Sequence, residues 1–213
     1  MYVISVNVGL PREVRSEGGI VLTSIFKSPV QGRVAIRGHN LAGDQQSDPT
    51  VHGGPFKTVY AYPSEHYAFW RGQLPGVDLP WGVFGENLTI EGLLEPEIHV
   101  GDRLRIGSAE LVVTQPRMPC YKLGIRFNDP QMVKAFLDSR RSGFYMSVAV
   151  EGDVGAGDAI EVLERHPAAV SIREILGLHQ REERRPARLQ AAIDIPALSG
   201  AWRHDLEERL RSA

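Results

Sequence analysis

The sequence predicts a mainly β, α+β fold: a barrel-like β domain over residues 1–164 and a small three-helix region over 165–213. Three observations lead there. The first ~160 residues are rich in Gly, Pro and short runs of β-favouring residues, which favours turns over long helices. Those runs are closely spaced, as in an all-β barrel or sandwich, and "YVISVNV" alternates with period two. After about residue 165 glycine nearly vanishes, and Arg and Glu dominate.

The strand candidates follow in order as "YVISVNV", "GRVAIRG", "TVYAYP", "ENLTIEG", "DRLRIGSAELVVTQP", "GFYMSVAVEG" and "DAIEVL". "VGDRLRIG" and "VGAGDAIEVL" are partly alike, each placing a Gly-Asp turn before a strand. Two helices interrupt the β pattern. "PSEHYAFWRGQL" has Ser64 as N-cap, with Tyr67, Trp70 and Leu74 on one face. "NDPQMVKAFLDSRR" has Asp129 as N-cap, Pro130 at the first helical position, and an apolar stripe of Met132, Val133, Phe136 and Leu137. In the last region "SIREILGLH" opens with a capping box, Ser171 and Glu174. "RPARLQAAID" pairs Leu189 with Ile193, and Leu198, Trp202, Leu206 and Leu210 recur every fourth residue. Helices this short need packing partners. They cover the barrel or build a homodimer.

Composition excludes some functions. The chain has 213 residues, 42% hydrophobic and 23% charged, with a formal net charge of -2. That balance is ordinary for a globular protein and lacks the basic excess of a nucleic-acid binder. No apolar run approaches the ~20 residues that span a bilayer, and the N-terminus reads as a strand, not as a signal peptide. One cysteine cannot form an intrachain disulfide. The expectation is a soluble cytoplasmic protein without a membrane partner.

That cysteine, Cys120, lies in "TQPRMPCYKLG". Pro116 and Pro119 stiffen the stretch, and Arg117 and Lys122 are cations that favour a thiolate. The preceding strand, "AELVVT", is a rigid platform. A thiolate so placed serves as a nucleophile or a soft-metal ligand, although a free cysteine is often just a small buried hydrophobe. A zinc site lacks its second cysteine.

Three other stretches carry polar groups. Lys27 and Ser28 precede Pro29, a pair suited to an oxyanion. The segment 39–57 holds His39, Asn40, Asp44, Asp48, His52, Gly53, Gly54 and Lys57. Its Asp and His residues suit a metal, and its glycines suit the close approach of an anion. "PWGVFGENLTIEGL" sets Trp81 and Phe84 beside Glu86 and Asn87. These aromatics line a planar ring or belong to the core.

Together these segments resemble the MOSC family, the domain also found at the C-terminus of molybdenum cofactor sulfurases, and its YiiM-like branch in particular. The phrases "SVNVGLPREV", "IFKSPVQGRV", "NLAGDQQSD", "VHGGPFKTVYAYPSEHYAFW", "LPWGVFGENLT", "VGDRLRIGSAELVVTQPRMPCYKLG" and "SGFYMSVAVEGDVGAGD" carry the resemblance in order. They span most of residues 1–163, and the last ~45 residues look like that branch's three-helix appendage. The resemblance implies a β-barrel binding the molybdenum cofactor, molybdopterin, with Cys120 as the metal ligand. It implies cofactor contacts from Lys27, Ser28, Asn87, Arg117 and Lys122, with His52 and Lys57 in the matching "HGG" segment. Gln45 and Gln46 follow Asp44 where other branches place more basic residues.

Characterised relatives reduce N-hydroxylated nucleobases and amidoximes to amines, a two-electron, two-proton reaction that releases water. His52 and Tyr121 are the candidate proton donors. The chain has too few cysteines for an iron–sulfur cluster and no glycine-rich flavin fingerprint. The electrons therefore come from a separate flavin or iron–sulfur reductase. Pyridoxal phosphate is not expected. The alternatives are a sulfur carrier with a Cys120 persulfide, and a non-catalytic oxyanion- or pterin-binding module.

Overall fold

The computed structural model describes residues 1–16, 18–47, 54–180 and 185–212. Chain order begins with β1 (Tyr2–Val8), β2 (Arg12–Ser16), β3 (Gly19–Thr23), β4 (Ser28–Pro29), β5 (Val34–Arg37) and β6 (Asn40–Leu41). A 3-10 turn (Pro55–Lys57) leads to β7 (Val59–Pro63), α1 (Glu65–Gln73), β8 (Leu88–Glu91), β9 (Arg103–Ile106) and β10 (Ala109–Pro116). Two helices, α2 (Tyr121–Phe127) and α3 (Met132–Ser139), precede β11 (Phe144–Val150), β12 (Gly152–Val154) and β13 (Ile160–Glu164). The chain then enters α4 (Ile172–His179), α5 (Pro186–Ile193) and α6 (Gly200–Arg211).

Eight strands form one sheet in the order β13-β9-β10-β11-β7-β8-β1-β4. Neighbours are antiparallel except β7 and β8. Parallel neighbours need a crossover, and α1 lies in the connection between these two. The sheet closes on itself. Val3 N donates to Asp158 O at 2.9 Å, Ile160 N donates to Met1 O at 3.0 Å, and Tyr2 bridges Ala159. The start of β1 thus meets the entry to β13, which removes two exposed edges. A second sheet, β12-β5-β6, and the hairpin β2-β3 complete the β structure.

Two glycines make the barrel geometry possible. Gly107 opens the two-residue turn between β9 and β10 at φ +61°, and a Cβ there would lie 2.3 Å from Asp153 O. Gly143, at φ +59°, precedes β11, and a Cβ there would lie 2.4 Å from Ala61 O on β7. A side chain at Gly107 would collide with β12, and one at Gly143 would push the paired strands β7 and β11 apart.

The core has two parts. One runs through the barrel into the C-terminal helices and joins Val6, Ile36, Leu88 and Leu111 to Ile175, Leu189, Trp202 and Leu206. The helices therefore cover the barrel. The other is aromatic, with Tyr60, Tyr62, Tyr67, Trp70, Phe84 and Phe136 between the sheet, α1 and α3. Tyr62 and Phe84 have ring centroids 4.7 Å apart, and Trp70 stacks on Phe136 at 5.9 Å.

Several local expectations need adjustment. The helix expected from Asp129 begins at Met132, because Asp129 Oδ1 accepts from Gln131 N at 2.9 Å and holds a turn before it. Ser64 is the N-cap of α1 but makes no side-chain cap bond. The Ser171 cap holds: its hydroxyl accepts from Glu174 N at 3.1 Å. The Glu174 side chain accepts from Arg188 at 2.6 and 2.7 Å. The two similar Gly-Asp phrases precede β9 and β13, which pair with each other.

Candidate active site

The end of β10 delivers the cysteine stretch to a small cleft, a cavity of about 100 Å³ that opens to solvent. Cys120 lines it, half-buried, as the N-cap residue of α2 with extended backbone (φ -118°, ψ 173°). The stretch expected to be a loop is thus half loop and half helix. Cys120 is the last extended residue, and α2 stops at Asn128, whose φ of 51° is left-handed.

Arg117 lines the same cleft and is only 6% exposed. Its Nη1 donates to Phe84 O at 2.7 Å and reaches the Tyr60 hydroxyl at 3.5 Å. The guanidinium also sits 5.0 Å from the Tyr60 ring centroid and 5.1 Å from that of Phe136. Among the described residues, no carboxylate pairs with it. Burial works against its charge, but Tyr60, Tyr145 and Cys120 outweigh burial and hold its pKa above the ordinary arginine value.

Lys27 and Asp44 form a buried ion pair on the cleft wall. Burial lowers the Lys27 pKa, and Asp44 offsets only part of that. Asp44 also accepts from Gly9 N at 2.8 Å and from Asn87 Nδ2 at 2.9 Å. Asn87 Oδ1 in turn accepts from Tyr60 N at 3.1 Å. Lys27, Asp44 and Asn87 are therefore one rigid unit. Lys122, also in the cleft, donates from Nζ to Ser47 Oγ at 3.1 Å. Lys57 lines the cleft too; burial lowers its pKa, and Cys120 pulls the other way.

The structure gathers Cys120, Lys27, Lys57, Asn87, Arg117 and Lys122 at one cleft. Two expected residues are not among those lining it. Ser28 is exposed on β4, and Tyr121 is 59% exposed at the start of α2. The helical turn that begins after Cys120 sends the next side chain away from the cysteine. His52, Gly53 and Asp48 lie outside the described residues. Trp81 and Phe84 belong to the aromatic core: Phe84 is fully buried, and Trp81 meets Tyr67 edge-on at 4.5 Å.

Sequence reasoning missed Ser24, Tyr60 and Tyr145, all cleft residues. It noted Asp44 only as a metal donor or a departure from other branches. Its spacing from Lys27, 17 residues away, carries no local signal. Tyr60 and Tyr145 are register partners across β7 and β11. Period-two alternation marks their face without saying whether core or cleft covers it.

Among the described residues, no three of His, Cys, Asp and Glu are grouped to hold a metal ion. The cleft instead offers one thiol and four cations, Lys27, Lys57, Arg117 and Lys122, against the single carboxylate of Asp44. Among the described residues, this charge balance favours an anionic ligand.

Residues 48–161 match the family model of the MOSC domain. The chain is 36% identical over 201 residues to YflK of Bacillus subtilis, an uncharacterized protein, covering 94% of this chain and 90% of that one. The chain belongs to the MOSC family. The solved structure of YiiM from Geobacillus stearothermophilus matches this MOSC protein with a TM-score of 0.81 and 34% identity, over 98% of each chain. A protein of Gibberella moniliformis named a reductase is 34% identical over 151 residues, which are 70% of this chain and 27% of that one.

Proposed function

We propose that this MOSC protein is a molybdenum-cofactor-dependent reductase of N-hydroxylated compounds, such as N-hydroxylated nucleobases and amidoximes, and forms amines from them. The observation that carries the reading is the donor set: one thiol, Cys120, in a cleft with a cation excess and, among the described residues, no grouped metal ligands. A metal that arrives with sulfur ligands on an anionic pterin needs what this cleft has. The reductase among the relatives supports the redox assignment.

When bound, the cofactor supplies two-electron chemistry; the protein supplies position, charge and protons. Cys120 would be the ligand to the metal. Arg117, Lys57 and Lys122 would hold the anionic parts, and Arg117 does so without a competing carboxylate among the described residues. Asp44 fixes the Lys27 ammonium and the Asn87 amide, so those groups need no reorganisation when a ligand enters. A separate flavin or iron–sulfur reductase would provide the electrons.

Turnover tests the reading. Protein from cofactor-competent cells, given a reduced viologen as electron source, should convert benzamidoxime to benzamidine. Cys120→Ala should lose that activity while keeping its melting temperature. Turnover by Cys120→Ala at the wild-type rate would refute the role of the thiol.

A further inference from the structure

The reduction needs a proton at the oxygen that leaves, and the cleft restricts the source. Tyr121 does not line it, and Asp44 already accepts from Lys27, Gly9 and Asn87. Lys122 donates to Ser47. Tyr60 lines the cleft, but its hydroxyl donates to Ser142 O at 2.8 Å. Tyr145 is different. It lines the cleft one strand away, with its ring centroid 5.0 Å from that of Tyr60. Its hydroxyl makes no hydrogen bond to any described residue; Ser24 Oγ on the cleft wall is also without a partner, but a phenol is much the stronger acid. Arg117 and Cys120 line the same cleft. A phenol hydroxyl without a partner among the described residues, on the cleft that Arg117 and Cys120 also line, can meet a substrate oxygen.

We propose that the Tyr145 hydroxyl hydrogen-bonds the N-hydroxyl oxygen of the substrate and gives it the proton with which it leaves as water. The inference rests on the reductase reading above. The balance is R–NH–OH + 2e⁻ + 2H⁺ → R–NH2 + H2O. The molybdenum cofactor, when bound, would supply the two electrons that break the N–O bond, with the separate reductase proposed above as their source. The oxygen takes the Tyr145 proton, and the nitrogen takes the second proton from water. Arg117 stabilises the phenolate until water reprotonates it. Burial keeps Tyr145 protonated by raising its pKa above 10.0; Arg117 pulls the other way and Cys120 adds to the rise.

Tyr145→Phe tests this in the molybdenum-loaded protein, because it removes one oxygen with no bond to the described residues. With benzamidoxime and reduced viologen, kcat should fall about 100-fold, within the usual contribution of general acid catalysis. Calorimetry without an electron source gives a second readout. Affinity for benzamidoxime should fall about tenfold, the scale of one lost hydrogen bond, while affinity for benzamidine, which lacks the oxygen, stays unchanged. A kcat and benzamidoxime affinity equal to wild type would overturn the proposal, as would an equal loss for benzamidine. If wild-type protein itself holds no molybdenum and turns nothing over, the reductase reading falls and takes this proposal with it. Active wild type with an equally active Tyr145→Phe sinks the proposal alone.

Discussion

Asp44 is the residue on which the cleft's geometry depends most. It neutralises Lys27, orients Asn87 and anchors the Gly9 backbone. Its removal leaves a buried ammonium without a partner. Asp44→Ala should therefore destabilise the protein by about 3 kcal/mol, read by urea unfolding. Replacing both partners, as Lys27→Met with Asp44→Leu, should cost less than the single change, because no charge is then left buried. A double variant less stable than Asp44→Ala would contradict this account of the pair. Arg117 is the converse case: a buried charge among aromatic rings with no carboxylate among the described residues. The cost of burying it is offset by the cation–π contacts and, on the reading offered here, by the ligand.

The elements are joined by buried carboxylates. Glu95 accepts from His66 on α1 at 2.9 Å and from Gly143 N, at the entry to β11, at 2.7 Å. Burial works to raise its pKa, but the His66 ring and the Gly143 amide hold it below the ordinary 4.5. A depressed carboxylate contributes stability above its unfolded value and loses it as pH falls through its folded value. The stability gap between wild type and Glu95→Gln should therefore be full above pH 4.5 and narrow below it, as thermal melts would record. A gap independent of pH would contradict that role. Asp102, fully buried, accepts from Arg165 Nη1 at 2.6 Å and His166 N at 2.9 Å, which links β9 to the start of the helical region. Leu206 on α6 shares its apolar cluster with the barrel. Leu206→Ala should cost about 3 kcal/mol and lower one common melting transition. Two separate transitions would mean that the helices fold apart from the barrel.

At this scale, legibility followed the length of the signal. The long strands and the helices rich in apolar contacts were readable from periodicity and caps. The helix α2 was not: it has seven residues, follows Pro119 and contains Gly124, all of which read as loop. The hairpin β2-β3 was missed because its alternation is half exposed, with Ile20 66% and Leu22 49% accessible. Cys120 and its flanking cations were legible because their chemistry is local. Tyr145 was not, because its value comes from a neighbour 28 residues earlier in sequence, Arg117, that only the fold brings near.

Across the whole molecule, charge is distributed unevenly. The chain carries a net charge of -2, yet the described residues lining its cleft include four cations against one carboxylate. So local an excess suits one anionic ligand better than a general affinity for polyanions. No helix among the described residues is long and apolar enough to cross a membrane. The barrel supplies rigidity, the C-terminal helices cover one part of it, and the cleft opens where β10 ends and α2 begins. The central claim is that Cys120 holds a molybdenum cofactor there. Metal analysis of wild type and Cys120→Ala, both purified from cofactor-competent cells, tests it most directly. The account predicts about one molybdenum per wild-type chain and almost none in the variant. Equal molybdenum in both proteins, or wild type carrying cyanide-releasable sulfur and no molybdenum, would contradict it.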